Sequence, residues 1–190
     1  MTVYELFGAN KEYLKNKKGF IFDMDGTLIE SMKFWNNLSQ TDETDLQTMI
    51  AYMSEKYTNE VEPKPYALRL LGFLKDNGIP TVIATDTPRF ISKGFFDRYD
   101  LSEYVDAVIT SDDVGVFKRT SPRIYEYAAQ ILGLEKEECV VVEDFPNSVA
   151  TAKSAGFTVI AVYDAENSYG EALIKSNCDV YIKDLGELLS

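Results

Sequence analysis

The chain has 190 residues, 45% of them hydrophobic, and its 31 acidic side chains outnumber 19 basic ones to leave a net charge of −12. Such an acidic balance speaks against nucleic acid or an anionic membrane surface as partner, and no apolar run approaches the roughly 18 residues of a membrane span. There is no histidine, which removes Ser-His-Asp and Cys-His catalysis and imidazole ligation, so any metal must sit among oxygens, as magnesium, calcium or manganese do.

Residues 1–18 read as an N-terminal extension, a short helix packed on the outside of the domain through Tyr4, Phe7, Tyr13 and Leu14. No signal-peptide pattern is visible there, and the expected location is cytoplasmic. Gly19 to Ile29 then runs G-F-I-F-D-M-D-G-T-L-I. Its apolar stretch Phe20–Phe22 stops abruptly at Asp23, the pattern of a buried strand whose carboxyl end opens onto a site. Asp23 and Asp25 stand two apart, so an extended chain sends both carboxylates to one side. Gly26 permits a tight turn whose N–H groups can face an anion. Two carboxylates about 4 Å apart repel by roughly 4 kcal/mol at an effective dielectric near 20. A metal ion is the simplest offset.

Residues 31–61 read as a small helical insertion. Ser31 is placed to cap a first helix carrying Phe34, Trp35 and Leu38 on one face. A second helix opens around Thr41-Asp42 and repeats as Leu46, Met49, Ile50, Met53 and Tyr57. Pro63 and Pro65 close the segment. From Tyr66 strands and helices alternate. A helix through Ala67, Leu70, Leu71 and Leu74 stops at Asn77-Gly78, and strands are expected at 80–84, 107–109, 140–142, 157–162 and 179–182. Between them lie helices at 90–99, from Ser121-Pro122 with Ile124, Ala128 and Ile131 facing inward, and from about Ser148 to Ala155. The expected fold is α/β: a doubly wound, mostly parallel sheet formed by 19–30 and 62–190, with the helical insertion as a small cap. Cys139 and Cys178 lack metal-like spacing and read as reduced packing residues.

Four strand ends are polar: Asp23/Asp25, Thr85/Asp86, Asp112/Asp113 and Glu143/Asp144. Parallel strands bring their carboxyl ends to one edge of the sheet, where ligands bind, so these groups are expected to converge. Asp112 is the one most readily explained as a simple helix cap.

Asp23-Met24-Asp25-Gly26-Thr27-Leu28 resembles the first motif of the haloacid dehalogenase-like hydrolases, above all the phosphoglycolate phosphatase-like and β-phosphoglucomutase-like branch, and the resemblance extends over roughly Gly19 to Val162. Val82-Ile83-Ala84-Thr85 resembles the second motif, which implies that the Thr85 hydroxyl binds the transferring phosphoryl group. Asp86 follows where many relatives carry Asn, leaving its backbone N–H as the substrate contact. Asp113 to Lys118 is similar to the third motif, although Lys118-Arg119-Thr120-Ser121-Pro122 departs from the usual Lys-Pro-x-Pro. Counting from Asp113 gives Lys118 the phosphate-pairing role and counting back from Pro122 gives it to Arg119; Lys118 is preferred. Val141 to Ser148 matches the fourth motif, with Phe145 and Ser148 replacing its usual Ser and Gly. That match implies Asp144 as a magnesium ligand supported by Glu143, together with the Asp23 carboxylate and the Asp25 backbone oxygen.

The resemblance implies Asp23 as nucleophile and Asp25 as general acid and base. An acid at Asp25 suits phosphate esters rather than carbon–halogen bonds. The expected activity is magnesium-dependent hydrolysis of a small-molecule phosphate ester; a sugar phosphomutase is the alternative, disfavoured because the insertion is too small to shield the intermediate from water. Alternatives of another class are a receiver-like phospho-acceptor and a catalytically weak binding relative. Residues 30–62 hold seven acids and two bases, which suggests a leaving group carrying little further negative charge. Lys33 and Trp35 are the expected substrate contacts of the insertion. Nothing in the sequence sets an oligomeric state.

Overall fold

The structure, a computed structural model, describes residues 2–8, 11–39 and 45–189. In chain order the elements are α1 (Val3–Phe7), β1 (Gly19–Phe22), α2 (Met32–Ser39), α3 (Leu46–Asn59), α4 (Ala67–Asp76), β2 (Thr81–Thr85), α5 (Arg89–Arg98), β3 (Ala107–Thr110), α6 (Ser111–Val114), α7 (Arg123–Leu132), β4 (Cys139–Glu143), α8 (Pro146–Ser154), β5 (Thr158–Val162), α9 (Glu171–Asn177) and β6 (Val180–Ile182). Among the described residues the strands form one six-stranded sheet in the order β3-β2-β1-β4-β5-β6, and every pairing is parallel. The expected doubly wound architecture is therefore present.

The strands read as continuous apolar runs because helices cover both faces of the sheet. Phe20 and Phe22 of β1 point into one core cluster with Ile83, Val140, Val142 and Ile160. Ile21, between them, enters the other with Val82, Val141 and Val159, the alternation of an extended chain. β1 lies at the centre, with Phe22 in register with Ile83 on one side and Val142 on the other. The chain winds outward through β2 and β3 and then returns to lay β4 on the opposite side of β1. This reversal of direction opens a crevice at the carboxyl ends of β1 and β4, the place where such sheets bind ligands.

Two local expectations are corrected, at the N-terminus and at Ile131. The N-terminal segment is no outer attachment: Val3, Phe7 and Leu14 are buried in the first core cluster, with the Phe7 ring 5.6 Å from Phe20 and 5.5 Å from Phe73. Ser31 stands directly before α2, and its hydroxyl donates to Asp25 Oδ1 at 2.7 Å. The expected opening of the second insertion helix at Thr41-Asp42 lies outside the described residues, but Asp45 caps α3, accepting from the N–H groups of Gln47 and Thr48 at 2.9 and 3.1 Å. Ile131 is exposed, since the buried face of α7 centres on Ile124, Tyr125, Ala128 and Ala129 and leaves that position outside it.

The insertion leaves and rejoins the core through adjacent segments. The N–H of Glu30 donates to the carbonyl of Glu62 at 2.9 Å, and that of Lys64 to the carbonyl of Leu28 at 2.8 Å. The helix α3 then packs closely on α5. A Cβ at Gly94 would fall 2.0 Å from Thr58 Oγ1, so only glycine permits the approach. Arg98 of α5 reinforces it, donating to the Thr58 carbonyl at 3.1 Å and to that of Val61.

Candidate active site

Each strand around the crevice delivers a side chain by ending where it does. Past β1, Asp23 is fully buried, and its N–H still donates to the carbonyl of Val142 at 2.9 Å, extending the ladder by one residue. Gly26 then turns the chain at φ +83, and a Cβ there would lie 2.1 Å from Asp144 Oδ2. The glycine is thus demanded twice, by its backbone conformation and by the approach of a carboxylate from the neighbouring strand end.

Asp23, Glu143 and Asp144 are buried and bring carboxylate oxygens within 4.8 Å of one another. Lys118 reaches this group from the loop after α6. Its ammonium pairs with Asp23 and lies 2.6 Å from Glu143 Oε1. Arg119, the other candidate, instead lays its guanidinium 4.5 Å from the Phe117 ring centroid. Glu143 has both oxygens engaged: Oε1 by Lys118 and by the Tyr125 hydroxyl at 3.0 Å, Oε2 by the N–H groups of Asp144 and Phe145 at 2.8 and 2.9 Å. It therefore braces the cluster. Asp144 accepts from Thr27 Oγ1 at 2.7 Å and from Asn167 Nδ2 at 2.5 Å.

One lysine faces three carboxylates here, and the electrostatics show the deficit. Burial, followed by the charge of Glu143, pushes Asp144 up to about 7 and Asp23 well above the usual carboxylate range, although Lys118 pulls Asp23 down. Burial opposes the charge on Lys118, but Asp23 and Glu143 more than offset it and hold the amine protonated. A hard divalent cation fits such a set, because the donors are all oxygen and the repulsion among them is what a cation would relieve.

Asp25 is held differently. Its Oδ1 accepts from Ser31 Oγ at 2.7 Å, from the Tyr57 hydroxyl, and at 3.5 Å from Trp35 Nε1. Its Oδ2 accepts from Thr85 Oγ1 at 3.1 Å and Thr87 Oγ1 at 2.8 Å. Beside these groups opens a cavity of about 470 Å³ lined by Asp23, Asp25, Asp86, Lys118 and Arg119, with Met32, Trp35, Met49, Phe117 and Phe145 as its apolar wall. Ser148 also lines it, buried and with no hydrogen-bond partner for its hydroxyl.

Not every expected residue arrives. Lys33 lines a separate cavity with Lys64 and Asp164, its amine 4.7 Å from the Phe34 ring centroid. It is absent from the lining of the cavity that Asp23, Met32 and Trp35 share. The carboxylate expected from β3 is spent locally: Asp113 accepts from the N–H of Thr110 at 2.7 Å and meets Arg89 at 3.3 Å, closing a capping box. Asp112 remains at the cavity rim, and Ser111 donates to the Asp86 carbonyl at 3.0 Å. The Asp86 side chain accepts from the N–H of Lys118 at 3.0 Å, fixing the loop that carries the lysine.

Sequence reasoning missed Tyr57, Thr87, Thr27 and Asn167. Tyr57 was concealed in an apolar helical periodicity, where its phenol was the one polar sign. Asn167 lies in a short helical turn after β5 with no pattern around it.

Fold and site together are those of a doubly wound α/β enzyme. The chain belongs to the haloacid dehalogenase-like hydrolase family, whose model matches residues 33–156. It is 29% identical to hexitol phosphatase A of Escherichia coli strain K12, over 76% of this chain and 82% of that one. It is 28% identical to the phosphoglycolate phosphatase of the same organism over 71% of this chain, and spans only 55% of that relative's length. Among solved structures, CbbY from Rhodobacter sphaeroides in complex with phosphate superposes with a TM-score of 0.75 at 20% identity, covering 92% of this chain and all of that one. A Thermotoga maritima protein provisionally assigned as a β-phosphoglucomutase gives 0.75 at 23% identity, over 90% and 97%. These two likenesses establish the fold.

Proposed function

We propose that this chain is a magnesium-dependent phosphatase that hydrolyses a small phosphate monoester through an aspartyl-phosphate on Asp23. The observation that carries the reading is the Lys118 ammonium seated against Asp23, with Asp144 alongside and Asp25 two residues on, at the crevice between β1 and β4.

In this reading a carboxylate oxygen of Asp23 attacks phosphorus as the bond to the leaving oxygen breaks. Asp25 gives that oxygen a proton. Water then attacks the phosphoryl group, Asp25 takes a proton from it, and the Asp23 carboxylate leaves as inorganic phosphate forms. Lys118 and the backbone N–H groups after Asp25 and Thr85 face the phosphoryl oxygens and stabilise the charge that develops there. Magnesium, when bound by Asp23, Asp144 and the Asp25 carbonyl, would supply the remaining positive charge. The 31–61 segment acts as a reduced cap, with Trp35 and Met49 facing the leaving group.

Hydrolysis is favoured over phosphoryl return because the 31–61 insertion is small for shielding an intermediate from water. The apolar wall and the single outlying cation, Arg119, fit a leaving group with little negative charge. Among the relatives, the hexitol phosphatase is named for such a leaving group.

The test is phosphate release from a panel of monoesters with and without magnesium. Wild type should turn over with the metal, lose activity in EDTA and regain it on readdition, while Asp23→Asn should retain no more than about a thousandth of the rate. Stoichiometric labelling without turnover would replace the enzyme by a receiver-like phospho-acceptor. Highest activity on bisphosphates or carboxylated esters would overturn the leaving-group assignment alone.

A further inference from the structure

Asp25 is gripped from two sides, and the two sides differ in chemistry. On the β2 side, Thr85 and Thr87 bring hydroxyls to Oδ2, and a hydroxyl can either donate or accept. On the insertion side, the groups at Oδ1 are ordered by a chain of forced assignments. The Trp35 indole N–H is a donor only and lies 2.9 Å from the Tyr57 hydroxyl. Tyr57 oxygen is therefore the acceptor in that contact, and its own hydrogen is left for Asp25 Oδ1, with which it is in hydrogen-bonding contact. Trp35 also reaches Oδ1 at 3.5 Å, and Ser31 adds a hydroxyl at 2.7 Å. Oδ1 thus faces a phenol whose hydrogen is already committed to it, whereas both hydroxyls at Oδ2 can reverse. The oxygen that can carry a proton and pass it on is Oδ2.

Tyr57 is suited to setting this asymmetry. It is fully buried, and burial followed by the charge of Asp25 raises its phenol well above the ordinary tyrosine range, so it stays a neutral donor. It cannot easily drift. Its neighbour Thr58 abuts Gly94 of α5, and the carbonyls of Thr58 and Val61 are held by Arg98. The Trp35 and Tyr57 rings meet edge to face, with centroids 6.5 Å apart.

We propose that Tyr57, braced by Trp35, is a positioning residue that fixes Asp25 with Oδ1 as acceptor and Oδ2 as the oxygen that exchanges the proton with the leaving group and the attacking water. The inference rests on Asp25 being the acid of the phosphatase reading, and the substitutions below separate the two. Removing the phenol leaves Oδ1 with the Ser31 hydroxyl and the long Trp35 contact alone, so that the carboxyl group is held less firmly and can offer either oxygen to the wrong partner. The reaction that suffers is the one that needs the proton. An alkyl ester, whose leaving alkoxide is a poor one, depends on it; a nitrophenyl ester, whose leaving phenolate is stable, does not.

The experiment compares Tyr57→Phe and Trp35→Phe with wild type on an alkyl phosphate and on p-nitrophenyl phosphate, in the full chain with magnesium present. Tyr57→Phe should lower kcat on the alkyl ester about tenfold with KM little changed, and lower kcat on the nitrophenyl ester less than about twofold. Trp35→Phe should lower kcat on the alkyl ester more than on the nitrophenyl ester, with KM rising on both because Trp35 also lines the cavity. In an Asp25→Asn background Tyr57→Phe should cost nothing further, since there is no longer a proton to aim. Equal losses on both esters, or full additivity with Asp25→Asn, would make Tyr57 a merely structural residue and overturn the proposal. If wild type turns over and Asp25→Asn is unimpaired on the alkyl ester, it is the assignment of the acid that fails. Trp35 is the only tryptophan in the chain, so its emission provides a check independent of turnover. Tyr57→Phe should shift that emission while circular dichroism stays unchanged; if Tyr57→Phe does not fold, Trp35→Phe carries the kinetic comparison.

Discussion

Gly26 shows how much a site can ask of one residue. Its φ of +83 costs any side chain about 1–2 kcal/mol, and a Cβ would occupy the space taken by an Asp144 oxygen 2.1 Å away. Gly26→Ala is therefore expected to reduce stability by about 1–3 kcal/mol, read from a urea midpoint, and to reduce phosphate release at least tenfold by displacing Asp144. At this scale the sequence was legible wherever a residue acts through its neighbours in the chain. Asp23, Asp25, Gly26, Lys118 and Asp144 could be brought together from motif spacing, and the geometry seats Lys118 against Asp23 while Arg119 lies over Phe117. Lys33 was misplaced because its proximity to the first motif along the chain says nothing about which side of α2 it occupies. The second partner of Ser31 was hidden for the opposite reason: a serine in front of a helix reads as a cap, and Asp25, which takes its hydrogen, comes from a turn that local pattern does not reveal.

Among elements, the contact between α3 and α5 governs the insertion. Replacing Gly94 by alanine would gain up to about 1 kcal/mol of helix propensity. Against that stands a Cβ 2.0 Å from Thr58 Oγ1 and 2.9 Å from its Cα, which overpacks a tight crossing at a cost of about 1–3 kcal/mol. The clash involves backbone as well as side chain, so overpacking prevails. Gly94→Ala should lower the thermal midpoint and, by moving α3, should weaken turnover of alkyl esters as Tyr57→Phe does. The helical character of α3 could be read from Leu46, Met49, Ile50, Met53 and Tyr57. Its docking on α5 could not, since a glycine inside a helix reports that something comes close without saying what. The capping box that absorbs Asp113 was equally hidden, because a polar strand end looks the same whether its carboxylate turns back to the helix or out to the site.

For the molecule as a whole, the crowded carboxylates set a pH dependence. Asp144, raised to about 7, and Asp23, raised as well, bind protons more readily folded than unfolded. Their contribution to stability is present at low pH and is lost as pH rises through the folded value. Lys118, shifted upward too, stays charged throughout that window and does not reverse the sign. Metal-free protein should therefore show a thermal midpoint that falls between about pH 4 and about pH 7, and added magnesium should restore it most at the alkaline end, where the carboxylates are ionised and can take the cation. A flat or rising midpoint in calorimetry would contradict this. The alternation of strands and helices was plain from residue 66 onward, and with it the fold. Strand order was not, since it depends on which apolar runs meet across the whole length of the chain.

That order has a consequence for how the protein comes into being. β1 emerges first, yet its two neighbours are β2 and, much later, β4. During synthesis Phe20, Ile21 and Phe22 must wait, unpaired on one edge, until Val140 to Val142 have left the ribosome. Contacts so distant in sequence close slowly. Asp23 and the carboxylates of Glu143 and Asp144 accordingly come together in one late event, and a chain cut short before β4 carries Asp23 and Lys118 but neither of the two carboxylates that crowd them.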